Sequence, residues 1–245
     1  MPSKLVKFNN HLTKEEIDLK KEEYMSIINE STRKVLSGSF DLESHKHRGM
    51  NSRMHTEHNF TGKIYKDKIL DDIEFFKEEK PNLLDVGCGS GNFVKEMIDT
   101  NQFSSVSGLD PFSKNDFFKK VDKEHFIDSW SHQIPLDDNS VDIITCCEVL
   151  EHVPEVYVLE TFKEFKRVCN WRIYGQISTK IGGEKYKDGV HAHICYAPAE
   201  WWFDKIEESG LELISGDLYL TTPPNAHKNG ITEPVENSIR FVAKG

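Results

Sequence analysis

Apolar residues come in short runs for most of the chain, and longer mixed segments with helical spacing lie between them. NLLDVG (82–87), SVSGLD (105–110), HFID (125–128), VDIITCCE (141–148) and RIYGQIS (172–178) read as strands. LELISGDLYL (211–220) and SIRFVAKG (238–245) read as two more. Residues 92–100, 114–121, 156–168 and 199–210 read as helices, the last ending at Gly210. Strictly alternating strands and helices build a parallel sheet covered on both faces. The last two strands have no helix between them, so one of them is expected to run antiparallel. The pattern therefore predicts an α/β domain with a seven-stranded, mostly parallel sheet over residues 63–245.

The first 62 residues read differently. Residues 13–36 predict a charged helix that opens with a Thr13/Glu16 capping box. Residues 63–79 predict a second helix burying Ile64, Ile69, Leu70, Ile73 and Phe76, and Pro81 closes it. Between them, residues 41–62 are polar and histidine-rich. Residues 1–62 are thus expected to form a helical cap covering an acceptor site.

The chain has 245 residues, enough for one sizeable α/β domain. It contains no apolar run long enough to span a bilayer, and its N-terminus lacks the apolar core of a secretory signal. A cytoplasmic protein without membrane contact is expected. The five cysteines (Cys88, Cys146, Cys147, Cys169, Cys195) include no Cys-x-x-Cys pair, and they read as buried free thiols. Cys146 and Cys147 are adjacent and would point to opposite faces of a strand, which is poor ligand geometry. The net charge of −10 argues against non-specific contact with a nucleic-acid backbone.

LLDVGCGSGN (83–92) carries the first candidate chemistry. A strand that runs into a glycine turn and then a helix presents backbone N–H groups to a ligand. A phosphate loop would need Gly-Lys-Ser/Thr, which is absent. Gly87-Cys88-Gly89-Ser90-Gly91 is also one residue shorter than the dinucleotide fingerprint. Asp85, inside the strand, would repel a pyrophosphate but suits a cationic amino group. Asp110 and Asp128 end the next two strands; an acid at the first tip suits ribose hydroxyls, and one at the second suits an adenine amino group. The glycines alone would fit any tight strand-to-helix turn.

Taken together, LLDVGCGSGN, GLDP (108–111), IDSW (127–130) and IPLDDNSVDIITCCEVLEHVP (134–154) resemble the class I S-adenosylmethionine-dependent methyltransferases. The resemblance covers about residues 65–245. It implies that Gly87, Cys88, Gly89 and Gly91 approach the methionine part of S-adenosylmethionine, with Asp85 near its amino group. It also implies that Asp110, beside Pro111, binds ribose, that Asp128 and Ser129 read adenine, and that Glu148 lines the pocket.

Methyl transfer to oxygen requires a base, and His152 follows the fourth strand on the cofactor side of the sheet. It reads as that base or as an orienting residue. HKHRGMNSRMHTEHNF (45–60) concentrates cations in an acidic protein; Arg48, Arg53, His55 and His58 are candidate binders of an anionic acceptor. A solvated loop would carry the same charges. His191 and His193 alternate in HAHICYAPAEWW (191–202), so both are expected on one side, facing the acceptor. They lack an evident third ligand, and no metal is assigned. Trp202 is expected in the core and Trp201 partly exposed. KIGGEKYKDG (180–189) reads as a lid or a plain surface loop.

The resulting expectation is a methyltransferase acting on a small anionic metabolite, with transfer to oxygen. The chain is loosely similar to enzymes of surface-polysaccharide biosynthesis, which points to nucleotide-linked or phosphorylated sugars and phosphoryl intermediates. The alternatives are a quinone-precursor or RNA methyltransferase, or an inactive cofactor-binding subunit.

Overall fold

A computed structural model of the chain describes residues 4–9, 11–26, 63–75, 79–179, 191–221 and 235–245. Eight strands form one sheet in the order β1-β7-β8-β6-β5-β2-β3-β4. They are β1 (Lys4–Lys7), β2 (Asn82–Val86), β3 (Ser105–Leu109), β4 (Phe126–Ile127), β5 (Val141–Cys147), β6 (Cys169–Ser178), β7 (Glu212–Thr221) and β8 (Val235–Lys244). The described helices are α1 (Lys14–Ser26), α2 (Lys63–Asp72), α3 (Asn92–Asp99), α4 (Lys114–Phe117), α5 (Glu155–Val168) and α6 (Ala199–Glu208). Strands β6, β5, β2, β3 and β4 are mutually parallel. β8 lies antiparallel between β6 and β7.

Alternation of side chains sorts the core into two layers. Leu84, Val86, Ile144 and Cys146 face one side, beneath α5 and α6. Leu83, Ile143 and Cys147 face the other, beneath α2 and α3. The five cysteines are buried free thiols, and Cys146 and Cys147 do point to opposite faces. In α2 the buried side is Tyr65, Ile69 and Ile73, whereas Ile64 and Leu70 are only partly covered. Tyr65 is held there because its hydroxyl donates to the Gly175 carbonyl oxygen at 2.7 Å.

The expected seven-stranded sheet gains an eighth strand. β1 pairs antiparallel with β7 along Lys4–Lys7 and takes the exposed edge. Residues 4–9 therefore extend the sheet and residues 11–26 cover its flank, whereas a helical cap was expected. The capping box of α1 forms: Thr13 N–H donates to Glu16 Oε2 at 2.7 Å, and Glu16 N–H donates to Thr13 Oγ1 at 3.3 Å. α1 then lies along α6. Lys20 pairs with Glu200, Lys21 pairs with Glu155 at 2.6 Å, and the Lys21 ammonium sits 4.5 Å from the centre of the Trp201 ring. Under this cover Trp201, expected to be partly exposed, is buried, as Trp202 and Phe203 are. The described part of α1 ends at Ser26; the remainder of the predicted helix, together with Phe76, lies outside the described residues.

The loop between β4 and β5 is held by Arg167 of α5. All five guanidinium N–H groups are used: Nε and Nη2 donate to Glu164, Nη1 to Leu136 O and Asp138, and Nη2 also to Ile134 O. Lys21→Ala should lower unfolding stability by ~1–2 kcal/mol, since a cation over an aromatic ring is worth up to about that when desolvated. A urea titration checks this; an unchanged midpoint would mean that α1 does not seal Trp201.

Candidate cofactor and acceptor site

The glycine loop between β2 and α3 is tied to the end of β3. Gly87 and Cys88 N–H both donate to the Leu109 carbonyl oxygen, at 2.7 and 3.2 Å. Asp110, one residue on, is buried and its carboxylate is the hub. Oδ2 accepts from Gly89 N–H at 3.1 Å, and Oδ1 accepts from Phe112 and Ser113 N–H at 2.7 and 2.8 Å. A carboxylate has about four acceptor positions. Three backbone donors thus leave one, on Oδ2, for a ligand hydroxyl.

Gly87 and Gly91 have φ of +74° and +76°, which L side chains rarely adopt. A Cβ at Gly87 would lie 2.2 Å from Val149 Cγ2, and one at Gly91 would lie 2.6 Å from the Phe117 ring. The loop must be bare backbone for two reasons at once: its conformation and the close approach of its neighbours. The Val149 contact also shows that the turn after β5 packs directly on the loop. Cys88 points inward, towards Gly108.

Asp85 is buried in β2 and accepts from Thr145 Oγ1 at 2.7 Å. Burial pushes its carboxyl up to about 7; the Thr145 hydrogen bond opposes this and the charge of Asp110 adds to it. Asp128 and Ser129 lie farther out. Asp128 is exposed and paired with Lys114 at 3.2 Å, and Ser129 Oγ donates to Gln133 O at 2.6 Å. Pro111 is partly buried beside the hub. Nearby, the edge of one ring meets the face of the other where Phe112 packs on Trp130, and His132 stacks on Tyr157 at 4.2 Å. These aromatics are absent from the sequence-based site.

The second half of the site is the turn after β5. Glu148 has φ of +56°, left-handed backbone in a non-glycine residue. Its N–H donates to Gln176 O, and its Oε1 accepts from Gln176 Nε2 at 2.7 Å. Gln176 in turn accepts from Arg240 Nε at 2.9 Å. Leu150–His152 form a single 3₁₀ turn. Glu151 is fully buried there; its Oε1 accepts from Ser178 N–H at 3.2 Å, and its carbonyl oxygen accepts from Ile194 and Cys195 N–H. Burial, then the neighbouring Glu148, holds the Glu151 carboxyl well above the usual range. Nothing in the sequence marked this residue.

His152 Nδ1 lies 2.9 Å from Ala192 O, which fixes the proton on Nδ1 and assigns further chemistry to Nε2. The His152 and His193 rings meet edge to face at 4.9 Å. His191 lies 3.3 Å from Tyr196 Oη, and both His191 and His193 pack on Tyr196. The structure thus brings His152 and His193 together, with buried His191 reaching them through Tyr196. Arg48, Arg53, His55, His58 and the loop 180–189 lie outside the described residues.

Residues 59–175 match the family model of a methyltransferase domain. The fold of the chain is that of the class I S-adenosylmethionine-dependent methyltransferases, and S-adenosylmethionine is the cofactor of this fold. The bare glycine cradle, the open acceptor position on Asp110 and the buried Asp85 fit such a molecule.

Among curated proteins, the domain is 33% identical over 99 residues to a tRNA U34 carboxymethyltransferase of Nautilia profundicola, covering 38% of this chain and 32% of that one. It is 29% identical over 109 residues to a ubiquinone biosynthesis O-methyltransferase of Nitrosospira multiformis, covering 40% and 43%. The matches thus span less than half the length of either relative. A solved S-adenosylmethionine-dependent methyltransferase of Methanosarcina mazei superposes with a TM-score of 0.52 at 14% identity, over 71% of this chain and 96% of that one. Among the described residues, no helix is long and apolar enough to cross a membrane.

Asp85 gives the site a pH signature. An unfolded Asp titrates near ~3.9. Between there and about 7 the folded protein holds more protons than the unfolded chain, so stability falls as pH rises through that window. An ammonium beside Asp85 would favour its charged form and expel the proton. S-adenosylhomocysteine binding is therefore expected to release protons below about pH 7 and to tighten as pH rises towards it. Calorimetry in buffers of different ionisation enthalpy measures this. Asp85→Asn should remove the buffer dependence, and a wild type with none would put the amino group elsewhere.

Proposed function

We propose that this chain transfers the methyl group of S-adenosylmethionine to an oxygen of a small, anionic acceptor. The observation that carries the reading is the packing of Val149 on Gly87, which sets the His152 turn directly against the glycine loop. A cofactor cradle and a proton acceptor one turn apart are the two parts an O-methyltransferase needs.

The bound cofactor supplies a methyl group already activated on a sulfonium. The protein's task is then to position the acceptor and take its proton. In this reading the Gly87–Gly91 backbone, that of Cys88 included, receives the methionine part, and Asp85 receives its ammonium. Asp110, beside Pro111, offers its remaining acceptor position to the ribose. Asp128 exchanges its exposed contact with Lys114 for the adenine amino group, beside Ser129. Glu148, fixed by Gln176, closes the pocket. His152 Nε2 acts on the acceptor proton, and His191 and His193 border the acceptor.

The acceptor class rests on charge. Four cations and one acid lie between Lys46 and Lys63 in a chain of net charge −10, and guanidinium forks match phosphate and carboxylate. Nucleotide-linked or phosphorylated sugars and phosphoryl intermediates of surface-polysaccharide biosynthesis fit this. The similarity to a ubiquinone O-methyltransferase favours a second reading, a phenolic quinone precursor; it keeps the transfer to oxygen and changes only the acceptor.

Release of S-adenosylhomocysteine from purified protein, with phosphorylated and nucleotide-linked sugars against quinol precursors and short RNA, tests the reading. Turnover on an anionic metabolite supports it. Turnover confined to RNA or a quinol overturns the acceptor class, and failure to bind cofactor overturns the whole reading. His152→Ala should lower kcat by ~10²-fold or more, the usual worth of a positioned base, with cofactor affinity unchanged. A near-normal rate would leave His152 a packing residue.

A further inference from the structure

We propose that Glu151, His152 and His193 form a binding site for one divalent transition-metal ion on the acceptor side of the glycine loop. Their potential ligand atoms all lie within 4.8 Å of one another. Two imidazoles and one carboxylate are a donor set that suits zinc, iron or manganese and gives no advantage to magnesium or calcium.

Three observations converge. First, the His152 ring is already arranged as in metal sites: Nδ1–H is committed to a backbone carbonyl, Ala192 O, at 2.9 Å, so the lone pair lies on Nε2. Second, the Glu151 side chain is completely buried and its Oε2 has no hydrogen-bond donor, while Oε1 takes the Ser178 N–H. Third, the segment carrying His193 is anchored to the same turn, because Ile194 and Cys195 N–H both donate to the Glu151 carbonyl oxygen, at 2.9 and 3.1 Å. The two stretches of chain are forty residues apart and are held together by their main chains, independently of any ion.

Drawing three donors that lie within 4.8 Å of one another to the separations around one ion, ~3.0–3.5 Å for bonds near 2.1 Å, closes the widest gap by at most about 1.3–1.8 Å. An ion on His152 Nε2 excludes a proton there, so an ion-loaded chain cannot use His152 as the base proposed above, and the zinc titration decides between the two roles. The site itself stands whatever the acceptor is, and its test reads the ion directly.

Full-length protein stripped with a chelator is titrated with Zn²⁺, and separately with Mg²⁺, by calorimetry. One Zn²⁺ per chain with much weaker Mg²⁺ uptake is expected. His193→Ala should weaken Zn²⁺ binding by at least ~100-fold, whereas His11→Ala, an exposed histidine on the N-terminal segment, should leave it unchanged. Circular dichroism confirms that the variants fold. X-ray absorption at the zinc edge of the unmutated protein needs no variant and should show two imidazoles per zinc. No Zn²⁺ uptake, equal affinity in His193→Ala, or fewer than two imidazoles overturns the site. None of these readouts depends on turnover, so they separate this proposal from that of methyl transfer.

Discussion

The structure of the site depends on one buried carboxylate. Asp110 receives Gly89 N–H from the loop after β2 and Phe112 and Ser113 N–H from the turn after β3. Hydrogen bonds to a charged group in a buried setting are worth ~1.5–3 kcal/mol each. Three of them on one side chain bind two loops into one rigid unit, and they do so at the carboxyl ends of the parallel strands, where open α/β sheets place ligands. Asn could not replace Asp110 without turning one of its two acceptor corners into a donor facing an N–H.

A second element has to be placed against that unit. The turn after β5 descends on the loop through Val149, and the absence of a Cβ at Gly87 is what lets it. The glycine is therefore needed as much by the neighbouring turn as by a ligand. Behind the turn, Arg240, Gln176 and Glu148 form a polar chain running across β8 and β6 to the end of β5. This chain links the antiparallel end of the sheet to the acceptor side of the site.

Much of this was legible in the sequence. Seven strands and the helices between them follow from the spacing of apolar residues, because a sheet covered on both faces forces continuous apolar runs such as DIITCC. Asp85, Asp110 and His152 were legible because each stands at or near a strand's carboxyl end. β1 was not: KLVK carries a lysine at each end, as an edge strand commonly does, and so does not read as a strand. The burial of Trp201 was hidden because its cover, Lys21, lies 180 residues earlier. Glu151 was hidden for a more general reason. An acid between leucine and histidine looks like surface, and only the Ser178, Ile194 and Cys195 N–H groups that close around it reveal that it is interior.

The backbone of Glu148 ties these parts together. Left-handed φ in a non-glycine residue costs on the order of 1 kcal/mol or more and persists only where the surroundings hold it. Here Gln176 holds both ends of the residue, its main-chain oxygen taking Glu148 N–H and its amide donating to the carboxylate. An extended residue at this position would carry the chain onward along β5. The left-handed one turns it, so that Val149 falls on Gly87 and the next three residues close into the 3₁₀ turn that carries Glu151 and His152. Glycine would make the same turn without strain but would lose the carboxylate through which Gln176 and Arg240 hold it. The distance between the glycine loop and the His152 turn is thus set by a conformation that only a side chain with its own partner can maintain, which accounts for a glutamate at a position where geometry alone would select glycine.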